Sequence, residues 1–179
     1  HRIAQLRAAN ILYRPGSPIT ALDRAARVAV TAKGESIAYD RVVIATGSRA
    51  LRLPIPGAEL SGVLLYRDLA DVRAMLAAAQ SGGQAVVIGG GLLGLEAAAG
   101  LAARGMKVTV VHAVGWPMER QLDAAAGALL MRRMGARGIR FAMPATTTAI
   151  EGDRHVTGVR LSDGRVLPAR LQVMAVGIH

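Results

Sequence analysis

The sequence has no cysteine, few aromatic residues and almost no lysine. Without cysteine, its 179 residues cannot carry a disulfide framework, a thiolate-ligated zinc or iron–sulfur site, or thiol chemistry. Aromatic residues make up 3%, too few for the stacking platforms that bind single-stranded nucleic acid. No apolar run approaches the roughly 18 residues of a membrane span. These absences argue against thiol-based, strand-stacking and membrane-spanning functions in this stretch of chain.

Positive charge is plentiful but scattered along the sequence. Lys and Arg number 22 against 12 Asp and Glu, a formal net charge of +10, and only Lys33 and Lys107 are lysines. Because the arginines do not cluster and the hydrophobic content is 52%, we interpret the charge as the solvated surface of a globular protein. We therefore expect no nucleic-acid and no membrane partner. The N-terminus has no signal-peptide pattern, and we expect a cytoplasmic protein.

The middle of the chain alternates between short Val- and Ile-rich runs and Ala- and Leu-rich segments. Gln84–Ile88 has the composition of a buried parallel strand, Leu92–Arg104 that of a helix stopped by Gly105, and Met106–Val111 that of a second strand. Strand, helix and strand within 30 residues predict a βαβ unit with a right-handed crossover.

Further elements of the same kind flank this unit. Asp68–Gln80 predicts a helix upstream, and Asp123 is a good N-cap for a helix that runs to Arg137 and stops at Gly138. Ile139–Met143 is expected to be the next strand. The alternation indicates an α/β fold with a parallel sheet.

An internal repeat relates the two ends of the chain. Ile37–Gly47 matches Leu167–Gly177 at an offset of 130 residues, and the turn residue Gly34 then falls on Gly164. Each copy predicts a three-stranded antiparallel meander that leads into a terminal apolar strand ending in Ala-x-Gly. We infer two related nucleotide-binding domains, of which the first is incomplete.

A glycine loop follows the first strand of the βαβ unit. Gly89-Gly90-Gly91-Leu92-Leu93-Gly94 fits the pattern G-x-G-x-x-G between a predicted strand and a predicted helix. Gly89 permits the tight turn, Gly91 lets the backbone approach a pyrophosphate, and Gly94 lets the helix pack closely on the strand. The helix N-terminus then offers N–H groups and a positive dipole end to the phosphates. A purely structural glycine-rich turn is the alternative.

Two residues near this loop bear on the choice of ligand. His112 ends the second strand, where an acidic residue normally binds the adenosine ribose of NAD. An imidazole can also bond a ribose hydroxyl, so NAD is favoured and NADP remains open. Glu96 lies in the first turns of the helix, as a favourable partner of the helix dipole or as a catalytic carboxylate near the nicotinamide. No metal-ligand spacing and no nucleophile arrangement is present.

Three motifs resemble those of the FAD- and NAD(P)H-dependent pyridine nucleotide oxidoreductases, flavoproteins with two dinucleotide folds. Val42–Ser48 followed by Pro54–Gly57 resembles their Ala-Thr-Gly motif and linker. Gly89–Glu96 resembles their second glycine loop, and Val173–Gly177 resembles the strand beside the bound nicotinamide. The resemblance implies a Rossmann-like three-layer ββα sandwich. It assigns residues 1–52 to part of an FAD-binding domain and residues 53–179 to a nearly complete NAD(P)H-binding domain.

The resemblance also implies roles for individual residues. Those next to FAD are Ile19, Ala45, Thr46 and Gly47. Those that hold the pyrophosphate of NAD(P)H are Gly90, Gly91, Leu92 and Leu93, while Glu96 and Gly177 lie near the nicotinamide. Because the first glycine loop and the later FAD motif are missing, we expect a fragment whose FAD site is only partly present and which is inactive alone.

Within the family, Gly91–Ala98 and Met118–Asp123 most resemble the large subunit of assimilatory NAD(P)H nitrite reductase, or the electron-transfer subunit of assimilatory nitrate reductase. This implies hydride transfer from NAD(P)H to FAD, and a siroheme or iron–sulfur acceptor domain in the full-length chain. A ferredoxin or rubredoxin reductase is one alternative. A non-catalytic basic nucleotide-binding module is an alternative from another class.

Overall fold

In the computed structural model, residues 5, 6 and 8–178 are described, and the chain divides into two units, His1–Gly47 and Ser48–His179. The first unit contains an antiparallel sheet of three strands in the order β1-β2-β3. Its strands are β1 (Ile19–Asp23), β2 (Val28–Thr31) and β3 (Ser36–Ala38). The expected domain boundary after residue 52 lies a few residues beyond this division and stays a prediction.

The second unit is built on a five-stranded sheet in which every neighbouring pair is parallel. The strand order is β4-β11-β5-β6-β7. Its strands are β4 (Val63–Leu65), β5 (Gln84–Ile88), β6 (Lys107–Val111), β7 (Arg140–Ala142) and β11 (Leu171–Met174). The order places β5 at the centre, so the loop that follows β5 opens between two parallel neighbours.

Helices and a second sheet cover the two faces of this parallel sheet. The helices are α1 (Leu69–Ala79), α2 (Leu92–Ala102) and α3 (Ala124–Gly135). The second sheet is antiparallel, with the order β10-β9-β8, and consists of β8 (Thr147–Gly152), β9 (Val156–Leu161) and β10 (Val166–Pro168).

The core confirms the predicted three layers. Val87 belongs to a buried cluster that it shares with residues of all three helices, whereas its neighbour Val86 belongs to a second cluster with residues of β8 and β9. Because side chains alternate across a strand, successive residues of β5 reach opposite faces, and both faces are buried. This explains why β5 reads as a continuous apolar run.

Two helices end by the same device. Gly105 and Gly138 follow α2 and α3 with φ of +83° and +82°. The next N–H, of Met106 or Ile139, donates back to Leu101 O or Met134 O. Left-handed glycines of this kind satisfy the last helical carbonyls and stop the helix, as predicted. Both helices end about two residues earlier than expected. The reason is that the N–H groups of Gly105 and Gly138 bond the carbonyls three residues before them, of Ala102 and Gly135, in a tighter turn.

Matching hydrogen bonds confirm the internal repeat. Thr31 N–H donates to Glu35 O and Leu161 N–H to Arg165 O, both at 2.9 Å, at equivalent positions of the two meanders. Both hairpins turn at a glycine of positive φ, as predicted.

The prediction of a terminal strand in the first copy was wrong. Its counterpart in the second copy, β11, pairs with β4 and β5, whereas residues 42–45 form no strand. Val43 and Ile44 are 86% and 74% exposed. An apolar run becomes a sheet strand only where neighbouring strands pair with it, and no described strand of the first unit pairs with this one.

Every helix in the described part of the chain is too short or too polar to cross a lipid bilayer.

Replacement of Val87 by alanine should lower the free energy of unfolding by about 2 kcal/mol, because it removes buried methyl groups and leaves a cavity. Val87 is fully buried. Urea unfolding followed by circular dichroism measures the change. Val166→Ala is the matched control, since Val166 is 41% exposed in β10 and should change the midpoint little. Equal losses in the two variants would contradict the layered core.

Candidate functional site

The glycine loop joins the end of β5 to the start of α2. Gly89 turns the chain with φ of +118°, and its N–H donates to Val111 O of the neighbouring strand at 2.9 Å. Gly91 is the N-cap of α2 and has no side chain to cap the helix. Since the first N–H groups of a helix have no intrahelical partner, this end of α2 offers free donors.

The three glycines of the G-x-G-x-x-G motif meet different surroundings in the structure. A Cβ on Gly89 would lie 2.2 Å from Ala175 O, and one on Gly94 would lie 1.9 Å from Gly89 O. Neither position can hold a larger residue without moving backbone. A Cβ on Gly91 would meet nothing within 4 Å. Gly89 and Gly94 therefore close the strand–helix turn, while Gly91 borders open space, as a pyrophosphate would need.

The closing segment of the chain runs beside this loop. Ala175 N–H donates to Ile88 O at 2.9 Å, which places Ala175 against Gly89. Gly177 follows with φ of +128°, and its carbonyl accepts from Leu51 N–H at 3.0 Å. The structure thus brings Ala175, two residues before Gly177, against the glycine loop, which lies more than 80 residues earlier in the sequence.

His112 stands at the end of β6, as predicted, and its ring faces the loop. Nδ1 lies 3.1 Å from Gly90 N and Nε2 lies 2.8 Å from Glu119 Oε2. Because Gly90 N–H can only donate, Nδ1 accepts, and the ring proton is on Nε2, where it is donated to the carboxylate. A Cβ on Gly90 would lie 2.7 Å from the imidazole Cγ, so glycine is required there as well.

Sequence reasoning did not assign a role to Glu119. It lies seven residues after His112, in an irregular segment whose spacing carries no helical or strand signal. Burial is the largest single influence on this carboxyl and opposes its ionisation, but the hydrogen bond from His112, a backbone hydrogen bond and the positive charge of Arg120 together outweigh it, and the pKa of Glu119 is lowered. The carboxylate is therefore ionised at neutral pH.

Glu96 is exposed on α2. It lines a small pocket between α1 and α2, together with Tyr66, Met75 and Arg104. Both interpretations of Glu96, as a helix-dipole partner and as a catalytic carboxylate near the nicotinamide, stay predictions.

The residues predicted beside FAD lie in the first unit. Ile19 is in β1 and is 51% exposed, and the segment Ala45–Gly47 is exposed and irregular. Their role stays a prediction. Among the described residues, no group of three His, Cys, Asp or Glu side chains is placed to hold a metal ion.

The ββα layers and the glycine loop at the centre of a parallel sheet define the Rossmann class of α/β domains. The chain belongs to the pyridine nucleotide-disulphide oxidoreductase family, whose pattern it matches over residues 2–179. This confirms the predicted family and fold. NAD(P)H and FAD, the expected cofactors, are those that the family uses.

The relatives include a nitrite reductase and a subunit of an assimilatory nitrate reductase. The chain is 44% identical over 170 residues to the NAD(P)H nitrite reductase of Bacillus subtilis (strain 168), covering 95% of this chain and 21% of that protein. It is 38% identical over 163 residues to the assimilatory nitrate reductase electron transfer subunit of the same organism, covering 91% of this chain and 21% of that protein. The chain thus spans about a fifth of the length of these relatives.

A solved structure shows a similar fold. The crystal structure of a ferredoxin reductase from Rhodopseudomonas palustris superimposes with a TM-score of 0.92 at 33% identity, and the match covers 98% of this chain and 43% of that one.

The carboxyl of Glu119 should titrate below its ordinary pKa of 4.5, because its ionised form accepts a hydrogen bond from His112 Nε2–H. The folded-state pKa lies below the unfolded one, so the resulting stabilisation is complete above pH 4.5 and is lost as the pH falls through the folded-state pKa. Side-chain carbon NMR during a pH titration measures it, and His112→Leu should raise the pKa. An unchanged pKa in His112→Leu would contradict the pairing.

Proposed function

We propose that this chain is the NAD(P)H-binding part of an FAD-dependent oxidoreductase of the NAD(P)H nitrite reductase type, which works in nitrate and nitrite assimilation. The observation that carries the proposal is the open backbone at Gly91, at the uncapped N-terminus of α2. The 44% identity to a nitrite reductase supports the finer assignment.

The chain's own residues bind and orient the dinucleotide. The N–H groups of Leu92 and Leu93 stand in the first turn of α2 and would donate to the pyrophosphate, where the positive end of the helix dipole would add to the attraction. Gly94 keeps the helix close to β5, so these donors are fixed before the ligand arrives. Gly177 and Glu96 border the nicotinamide end in this proposal.

A nicotinamide held here would supply a hydride to a flavin. Ile19, Ala45, Thr46 and Gly47 of the first unit contribute one edge of the flavin site. In this proposal the electron acceptor is a siroheme or iron–sulfur domain of the full-length protein. The protein works in the cytoplasm in this proposal.

A second function in the same class is a ferredoxin or rubredoxin reductase. The superposition on a ferredoxin reductase favours it, since that likeness extends over 98% of this chain. Reduction assays of the complete protein with nitrite and with ferredoxin, each with NADH as donor, separate the two functions.

Gly91→Val should abolish NADH binding and leave the fold intact. The backbone at Gly91 has φ of −78° and ψ of −179°, which any residue adopts, and the new side chain would point into the open space that a pyrophosphate needs. Isothermal titration calorimetry of the full chain with NADH measures binding, and circular dichroism measures the fold.

Gly100→Val is the matched control, because Gly100 lies on the same helix and its Cβ also meets nothing within 4 Å. It should bind NADH as the unchanged chain does. Unaltered affinity in Gly91→Val would refute the proposed site. Salt-dependent binding of nucleic acid without any binding of NADH would favour the basic, non-catalytic module instead.

A further inference from the structure

The end of β6 lacks the carboxylate that normally selects NAD. A Rossmann domain usually places an acidic residue there, which accepts hydrogen bonds from the ribose hydroxyls and repels the 2′-phosphate of NADP. His112 occupies that position. In the proposed site, a group of this chain other than an acidic residue at the end of β6 must therefore face the ribose.

Both ring nitrogens of His112 already form hydrogen bonds within the protein. Nδ1 accepts from the backbone N–H of Gly90 at 3.1 Å, and Nε2 donates to Glu119 at 2.8 Å. Its side chain is only 14% exposed. Neither ring nitrogen is left to bond a ribose hydroxyl, so His112 acts by holding other groups in place.

The segment that carries Glu119 is fastened to the glycine loop. Met118 N–H donates to Gly90 O at 2.9 Å, and Leu122 N–H closes the turn onto Met118 O at 2.8 Å. The indole N–H of Trp116 donates to Leu122 O at 3.0 Å. Glu119 is thus held through its neighbour Met118, whose backbone bonds Gly90, and through its own side chain by His112, which also bonds Gly90.

The carboxylate keeps room for a ligand. Its side chain is 29% exposed, and only Oε2 receives the hydrogen bond from His112. The lowered pKa keeps it ionised, so it can only accept hydrogen bonds. Vicinal hydroxyls are donors that match it, whereas a phosphate is an anion that it repels.

We propose that the Glu119 carboxylate, positioned by His112, binds the adenosine ribose hydroxyls and selects NADH over NADPH. The inference rests on the proposed dinucleotide site and adds its specificity. Glu119 takes the place of the acidic residue missing from the end of β6, and His112 is a positioning residue. Arg120, exposed beside Glu119, is the group that would instead attract a 2′-phosphate.

Calorimetry of the full chain with NADH and with NADPH tests this. The unchanged chain should bind NADH more tightly. Glu119→Gln should weaken NADH binding about tenfold, since a hydrogen bond to a charged group is lost, and should leave NADPH binding unchanged or tighter. Glu151→Gln is the matched control, because Glu151 also pairs with a basic side chain, Arg160, but in the antiparallel sheet. It should alter neither affinity.

His112 variants separate positioning from folding. His112→Leu should reduce the preference for NADH, and His112→Gln, which keeps an N–H donor and a carbonyl acceptor, should restore part of it. If His112 had a merely structural role, both variants would weaken the binding of NADH and NADPH equally, and the ratio of the two affinities would not change.

The outcomes distinguish this inference from the function on which it rests. Equal weakening of both ligands by Glu119→Gln, or tighter binding of NADPH by the unchanged chain, overturns the role of Glu119. If NADH binding is still abolished by Gly91→Val in that case, the dinucleotide site itself stands. If the unchanged chain binds neither dinucleotide, both proposals fall.

Discussion

The close approach of three backbone segments at the end of β5 is the constraint on which the site depends. A Cβ on Gly94 would lie 1.9 Å from Gly89 O, and a Cβ on Gly89 would lie 2.2 Å from Ala175 O. The turn, the start of α2 and the end of β11 can meet only because these residues lack side chains. That contact directs the N-terminus of α2 to the open side of the loop, where Gly91 leaves space for an anion.

The same loop organises the polar groups around it. Gly90 offers its N–H to His112 and its carbonyl to Met118, so one residue fixes both the imidazole and the segment that carries Glu119. The hydrogen bond from His112, with a backbone hydrogen bond and the charge of Arg120, offsets the partial burial of the carboxyl and keeps its pKa low. The histidine at the end of β6 thus holds a carboxylate of a neighbouring segment beside the glycine loop.

Much of the fold was predictable because local signals agreed with the global structure. The composition of β5, the N-cap Asp123 and the stop glycines Gly105 and Gly138 each act within a few residues, and the structure confirms them. The prediction failed at residues 42–45, whose apolar composition equals that of a strand. A strand needs neighbours for its backbone hydrogen bonds, and composition does not reveal whether they are present.

The sequence by itself determined the βαβ unit, the glycine loop and the repeat, since periodicity, turn chemistry and register are local or strictly spaced properties. Only the tertiary structure decided what His112 does. Its ring nitrogens form hydrogen bonds with Gly90, 22 residues before it, and Glu119, seven residues after it. These spacings follow neither a helical nor a strand period. The glycine loop is therefore evident from local sequence, whereas the hydrogen bonds that join Gly90, His112 and Glu119 depend on side chains that only folding brings together.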